Sequence, residues 1–230
     1  MSHSESGSGQ QGDVSRETDP LGTAPEVVSW FGAAYDQVAA FHEKLVGEGV
    51  LRGLIGPREL PRLWDRHLIN SGALAQFLPA SGTLLDVGSG GGFPGVIIAA
   101  QLPQLKVTLL EPMERRIIWL NEVVSELGLT NVEVLRGRAE ELHGKRTFDA
   151  VTARAVAPMD KLSRWTLPLV KPGGALYAMK GERAGIELED AKYVIKALGG
   201  DAGEVLAGHT IDQIPVTNIV KVVKVKGAKK

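Results

Sequence analysis

The sequence predicts an α/β fold: a mostly parallel sheet covered by helices on both faces, preceded by a helical extension. Three observations carry this expectation. Five short apolar, β-leaning runs alternate with helical patterns between residues 83 and 198, the order that builds βαβ units. The first run ends in a glycine-rich turn, DVGSGGGFPG over 86–95, where strand, turn and helix together form a pocket at the carboxyl end of a sheet. Two further runs, 204–207 and 217–225, read as an antiparallel pair closing one sheet edge.

The chain of 230 residues has room for one full α/β domain and an extension, hardly for two independent domains. There is no cysteine, which removes disulfides, thiolate metal sites and a cysteine nucleophile and fits a reducing cytosol. No apolar run approaches the ~20 residues of a membrane span, and the N-terminus lacks a signal-peptide pattern. With 26 Lys and Arg against 27 Asp and Glu, the net charge is −1. Any nucleic-acid surface must therefore be a local patch.

Residues 1–19 are Ser, Gly, Gln and acidic side chains with almost nothing to bury, the composition of a disordered tail. From Pro25, the residues Val28, Phe31, Tyr35, Val38, Phe41 and Leu45 recur at helical spacing up to Gly47 or Gly49. A second helical segment is expected over 59–77, with Leu60, Leu63, Trp64, Leu68 and Leu74 inward. Arg62 and Arg66, four apart, share a face there, with Arg58 before them and His67 beside them. A solvated charged face and a phosphate contact are both open readings of these arginines. Residues 83–87 form the first strand, and Pro94 suits the first turn of the following helix. Residues 106–110 form the second strand. The next helix carries Ile117, Leu120, Val124 and Leu127 on one face and stops at Gly128. Strands three to five fall at 132–135, 148–152 and 175–179, the fifth introduced by a KPGG turn. Helices are expected at about 160–170 and 187–198.

The glycine turn supports more than one chemistry. Gly90, Gly92 and Gly95 fit the G-x-G-x-x-G spacing of dinucleotide sites, itself a weak signal. Asp86, Gly88, Gly90 and Gly92 fit D-x-G-x-G-x-G, which resembles motif I of S-adenosylmethionine-dependent methyltransferases. A tight turn in any α/β sheet would also suffice. Glu111, 19 positions after Gly92, can accept both ribose hydroxyls of either cofactor, or merely favour the dipole of the next helix. A dinucleotide enzyme needs space for a second half-cofactor and usually a substrate domain, for which about 80 residues before the glycine turn and a β pair closing the sheet edge are a poor fit.

Five ordered stretches, LLDVGSGGGFPG, the LLEP step, RGRAEEL, FDAVTARAVAP and YAMKG, resemble the bacterial small-subunit ribosomal RNA methyltransferase G family, also called glucose-inhibited division protein B. The likeness covers about 27–224. It implies the seven-stranded S-adenosylmethionine-dependent methyltransferase fold, Rossmann-like, with a tail over 1–22, a helical extension over 23–80, the methyltransferase domain over 81–226 and a basic tail over 227–230. It also implies methylation of guanine N7 in 16S ribosomal RNA, with S-adenosyl-L-methionine as cofactor. The partner would be that RNA or a small-subunit particle, without membrane or metal, for a monomer in the cytoplasm.

Position by position, the resemblance puts cofactor contacts on Gly88, Phe93, Ala139, Glu140 and Arg154, and Glu111 would take the ribose. Arg66, His67 and Ser71 resemble the family's helical entry motif, so Arg62, Arg66 and His67 are the candidate RNA contacts. Asn70 stands where many members have aspartate, and the final strand lacks the Arg-His pair some members carry.

The residues are consistent with N7 chemistry. That atom presents a lone pair on the major-groove edge and carries no proton, so holding donor and acceptor in line needs no general base. The one histidine in the motif loops is His143. C5 methylation of pyrimidines proceeds through a cysteine adduct, and there is no cysteine; exocyclic-amine enzymes carry a Pro-Pro tetrad after strand four, where residues 153–156 read ARAV. Arg154 and Lys180 are the candidate catalytic residues, Arg154 toward the guanine O6 edge and Lys180 toward phosphate or base. A structural salt bridge and a solvated lysine are their ordinary alternatives. A small-molecule methyltransferase on the same fold would put an apolar lid where Arg58, Arg62 and Arg66 sit, and a dinucleotide-binding oxidoreductase is the remaining reading.

Overall fold

Alternation along each strand sets the two faces of the sheet. The computed structural model describes residues 20–225; the tails expected over 1–19 and 227–230 lie outside the described residues. Residues 20–22 form a turn in which Tyr35 donates its hydroxyl hydrogen to the Gly22 carbonyl at 3.0 Å.

The first expected helix is divided. Gly32, at φ +53°, breaks it into α1 (Pro25–Phe31) and α2 (Tyr35–Glu48), joined by a 3-10 turn. The break shifts the register, so Val27 rather than Val28 is buried with Phe31, Val38, Phe41 and Leu45. The single helix expected over 59–77 is also not regular. It runs as a 3-10 turn Pro57–Arg62, a wide π turn Leu63–Ile69, the short α3 (Asn70–Gly72) and a 3-10 turn Ala73–Phe77. Pro57 and Pro61 lack N–H donors, and a proline ring clashes with a regular helical ladder. The wide turn sends Leu63, Trp64, Leu68 and Ile69 inward, adding Ile69 to the expected face.

The sheet follows as β1 (Gly82–Val87), α4 (Gly95–Gln101), β2 (Leu105–Glu111), α5 (Glu114–Glu126), β3 (Val132–Arg136), β4 (Phe148–Arg154), α6 (Met159–Thr166), β5 (Val170–Lys180), α7 (Ala184–Ala197), β6 (Glu204–Gly208) and β7 (Thr217–Val223). The strand order is β3-β2-β1-β4-β5-β7-β6. β1 to β5 are parallel and β7 is antiparallel to both neighbours, so the seven-stranded fold class expected from the sequence is present. The KPGG stretch is not a turn ahead of β5 but an irregularity inside it. The pairing of β4 with β5 shifts register between Phe148 and Ala150, Gly173 takes φ +84°, and a Cβ on Gly174 would come within 2.4 Å of the Asp149 carbonyl.

The core has two parts, one on each face. Leu84, Ala175, Tyr177, Met179 and Ile219 pack with α1, α2, α4, α5 and the π turn, whereas Leu85, Val87, Leu176, Ala178 and Val220 pack with α6 and α7. The N-terminal extension therefore shares one continuous core with a face of the sheet. On α5 the inward face is rotated from the expected one: Trp119, Leu120 and Val123 are buried. Trp119 donates its Nε1–H to the Gly91 carbonyl at 2.9 Å, which ties the helix to the glycine turn.

Candidate active site

The glycine turn leaves the carboxyl end of β1 with Gly88 at φ +74°, Gly90 at +57° and Gly92 at +113°, a backbone that side-chain-bearing residues rarely adopt. A Cβ on Gly92 would lie 2.8 Å from Val96 and 2.9 Å from Phe41. Pro94 precedes α4, which begins at Gly95. Asp86 turns inward rather than toward the surface. Its Oδ2 accepts the Gly95 N–H at 3.1 Å, and its Oδ1 has no partner among the described residues. Burial pushes this carboxyl up to about 7, against the opposing influence of Ser89, Gly95 and the Arg154 charge.

Two cavities open at the carboxyl ends of the strands. The smaller, about 500 Å³, is lined by Gly88, Glu111, Ala139, Glu140 and Arg154, with Val156 and Trp165 among its apolar wall. Glu111 is almost wholly enclosed. Its Oε2 accepts the Gly90 N–H and its Oε1 the Met113 N–H, both at 3.0 Å, with Arg116 Nη1 at 3.5 Å. Of the residues expected to hold a cofactor, Gly88, Glu111, Ala139, Glu140 and Arg154 converge here. Asp86, Gly90, Gly92 and Phe93 form the layer behind: Phe93 packs on Phe41 and His67 with ring centroids 5.5 and 5.1 Å apart.

The larger cavity, about 700 Å³, is lined by Arg62, Arg66, His67, Arg154 and Lys180, all from the candidate list. Arg62 pairs with Asp65 at 2.7 Å and Arg66 with Glu59 at 3.1 Å, yet both arginine side chains remain 51% exposed. Lys180 is nearly enclosed; its Nζ donates to the Ala157 carbonyl at 2.6 Å and to Glu187 at 2.8 Å. His67 is also mostly enclosed and bonds Glu59 Oε2 at 2.8 Å. His143 lies elsewhere, on the Trp165 carbonyl at 2.8 Å.

Arg154 is common to both cavities. Its Nη1 donates to Ser71 Oγ at 3.0 Å, to the His67 carbonyl at 3.3 Å and to Asn70 Oδ1 at 3.4 Å, and its Nη2 to His67 Nδ1 at 2.5 Å. Its guanidinium lies 5.2 Å over the Phe93 ring. Burial lowers its pKa to about 10, which still leaves it charged at neutral pH. Asn70 serves as a two-sided link, accepting from Arg154 and donating to Thr217 Oγ1 on β7 at 2.7 Å. An aspartate there could only accept. Glu59 and Glu187 were not legible as site residues from the sequence: each reaches its cavity from an irregular turn or a helix start, where no periodicity marks it.

Among the described residues no group of three or more His, Asp or Glu side chains is placed to hold a metal ion, and no helix is long and apolar enough to cross a membrane.

Known proteins resemble this chain in sequence and in fold. A Nocardioides sp. protein named ribosomal RNA small subunit methyltransferase G is 52% identical over 198 residues, covering 85% of this chain and 78% of the relative. One of the same name from Thermobifida fusca is 48% identical over 194 residues, covering 84% and 81%. Among solved structures, a SAM-dependent O-methyltransferase from Thermotoga maritima superposes with a TM-score of 0.57 at 16% identity, covering 75% of this chain and 72% of that one. M. jannaschii TYW2, solved in complex with AdoMet, gives 0.52 at 18% identity, covering 66% and 72%. At those identities the structural likeness carries the fold alone. The family described as rRNA small subunit methyltransferase G matches residues 34–214, and the chain belongs to that family.

Proposed function

We propose that the chain transfers a methyl group from S-adenosyl-L-methionine to N7 of a guanine in 16S ribosomal RNA, with the smaller cavity taking the cofactor and the larger one the RNA. Family membership with 45–52% identical relatives carries this reading. The smaller cavity fits the cofactor on chemistry. Glu111 spends two acceptor positions on backbone N–H groups, and a carboxylate has about four, so capacity remains for ribose hydroxyls. Gly88 and Ala139 present little bulk beside it, as close approach of an adenosine requires.

When bound, the cofactor supplies an electrophilic methyl group on a sulfonium. The chain's own residues have only to orient the partners, because N7 arrives as a free lone pair and no proton must be removed. His67 is held away from base chemistry by its bonds to Glu59 and Arg154. Arg154, at the wall between the cavities, is the group that can touch cofactor and base at once. Lys180 stands on the wall of the RNA side, with Glu187 fixing it and balancing its charge. A small-molecule enzyme would favour an apolar lid over that cavity; the half-exposed Arg62 and Arg66 favour a phosphate backbone instead.

The product tests the reaction. Methylation at N7 leaves a cationic base whose imidazole ring can be reduced, so borohydride followed by aniline cuts the strand there. Small-subunit RNA lacking the modification should gain one aniline-sensitive guanine after treatment with protein and cofactor. Methyl incorporation without scission would refute N7 as the acceptor.

Replacing Arg62 and Arg66 together by alanine should weaken RNA binding and leave cofactor affinity alone. The log–log salt slope should flatten by roughly 0.7 to 0.9 for each phosphate no longer neutralised. An unchanged slope returns both to a solvated face. We take the enzyme to act as a monomer in the cytoplasm, on the RNA or a small-subunit particle. Its helical extension over 23–80 would guide RNA to the methyltransferase domain.

A further inference from the structure

The bonding around His67 permits only one arrangement of protons. A guanidinium has no acceptor, so in the 2.5 Å contact with Arg154 Nη2 the imidazole Nδ1 must accept. The other ring nitrogen, Nε2, then carries the hydrogen and donates it to Glu59 Oε2 at 2.8 Å. His67 is thus neutral, with one tautomer selected from both sides. The Phe93 ring packs against the imidazole with centroids 5.1 Å apart.

We propose that Glu59 and His67 are positioning residues for Arg154: Glu59 orients the neutral imidazole, and the imidazole Nδ1 holds the guanidinium at the wall shared by the two cavities. The proposal rests on the role given above to Arg154. Glu59 does not reach either cavity's reacting atoms through its own bonds; it is occupied by His67 and Arg66. Its effect is carried through the ring.

The arrangement makes proton uptake disruptive. A proton on Nδ1 removes the acceptor that holds Nη2 and sets a second cation against Arg154. The charged groups that bear on His67 are Arg154 from β4 and Glu59 and Arg66 from its own segment; Asp86 in turn bears on Arg154. Burial first, then Arg154, lowers the imidazole pKa from 6.5, and Glu59 opposes the shift. Activity should therefore show an acid limb below the usual histidine range.

Three variants of the full chain, Glu59→Ala, Glu59→Gln and Arg154→Ala, separate the possibilities. Glutamine keeps a carbonyl acceptor for Nε2–H but loses the ion pair with Arg66, so it isolates the bond to His67. Glu59→Ala should lower kcat on the order of tenfold or more, the effect expected of a loosened positioning residue, without raising KM for RNA. Glu59→Gln should recover most of the kcat lost in Glu59→Ala while its acid limb moves to lower pH, because the carboxylate that favours the imidazolium is gone. Nitrogen NMR of the cofactor-free protein gives a readout independent of turnover. His67 should appear as the neutral Nε2–H tautomer, and its pKa should rise in Arg154→Ala. A Nδ1–H tautomer, a His67 pKa unmoved by Arg154→Ala, or parental kcat in a folded Glu59→Ala would overturn the proposal. Full activity of Arg154→Ala with the NMR results intact would instead remove the role of Arg154 itself, and the positioning role falls with it.

Discussion

Arg154→Ala should abolish methyl transfer for practical purposes, with kcat lower by on the order of 10²–10³, the cost of removing one aimed donor from an enclosed site. The guanidinium lines both cavities, so its loss should also weaken S-adenosylmethionine binding, measurable by calorimetry. Arg154→Lys should not restore the rate. A lysine offers three donors on a flexible stem, whereas this site engages Nη1 and Nη2 at once, on Ser71 and His67, and stacks a planar group on Phe93; a point charge can satisfy neither demand. The fold should survive either change, because the partners left behind are hydroxyl, amide and imidazole groups at a cavity wall, where water can replace the missing donor. Single-turnover methylation of unmodified small-subunit RNA is the measurement. Retention of more than about a tenth of the parental rate would place Arg154 among structural residues, since an aimed donor contributes a larger factor than that.

Why this arginine was legible and Glu59 was not follows from how each is encoded. The strands announce themselves through apolar runs, and six of the seven lie within two residues of where the sequence put them; β5 starts five residues early because it takes in the KPGG stretch. Gly88, Gly90 and Gly92 are legible because a positive φ selects glycine almost regardless of context. Glu111 sits at a strand end, where topology aims it at the site; Arg154, at the end of β4, is given by the family resemblance. The extension is different. Its regular helices were expected from spacing, but Gly32 and the two prolines impose breaks whose geometry depends on packing against the sheet. A register shift in α1 and a π turn at Leu63–Ile69 are the result. Glu59, eight positions before His67, meets it only because of that irregular path.

Asp86 is a different case, because its spacing can be read from the sequence and its orientation cannot. A motif gives the spacing of an acidic residue before glycines but not which way its side chain turns. Here Asp86 Oδ2 accepts the first N–H of α4 from below the turn, which helps to set the shape of the loop. Trp119, absent from the expected face of α5, supports the same loop from the other side.

The buried carboxyl should make stability depend on pH in an unusual direction. For Asp86 the folded-state pKa, about 7, lies above the ordinary 3.8. Between those values the folded protein holds a proton that the unfolded chain has released, so stability falls as pH rises, by at most about 1.4 kcal/mol per pH unit. The contribution is fully present below pH 4 and lost by the time pH passes about 7. Asp149 works in reverse: its bond to Lys171, then those to Thr83, lower it to about 2, so its stabilisation is present above the ordinary value and lost in acid. Because such ordinary carboxylates can hide the Asp86 effect in the parent protein alone, the difference between parent and Asp86→Asn is the quantity to measure. Asparagine keeps a carbonyl for the Gly95 N–H and cannot titrate, and the cost of its buried amide is the same at every pH. Urea unfolding from pH 4 to pH 8 should show the parent losing stability relative to Asp86→Asn as pH rises, with the difference levelling off above pH 7. A flat difference would mean that Asp86 is ionised throughout, its charge held by Gly95 and Arg154 despite complete burial. The turn would then owe its shape to a buried anion rather than to a neutral acid.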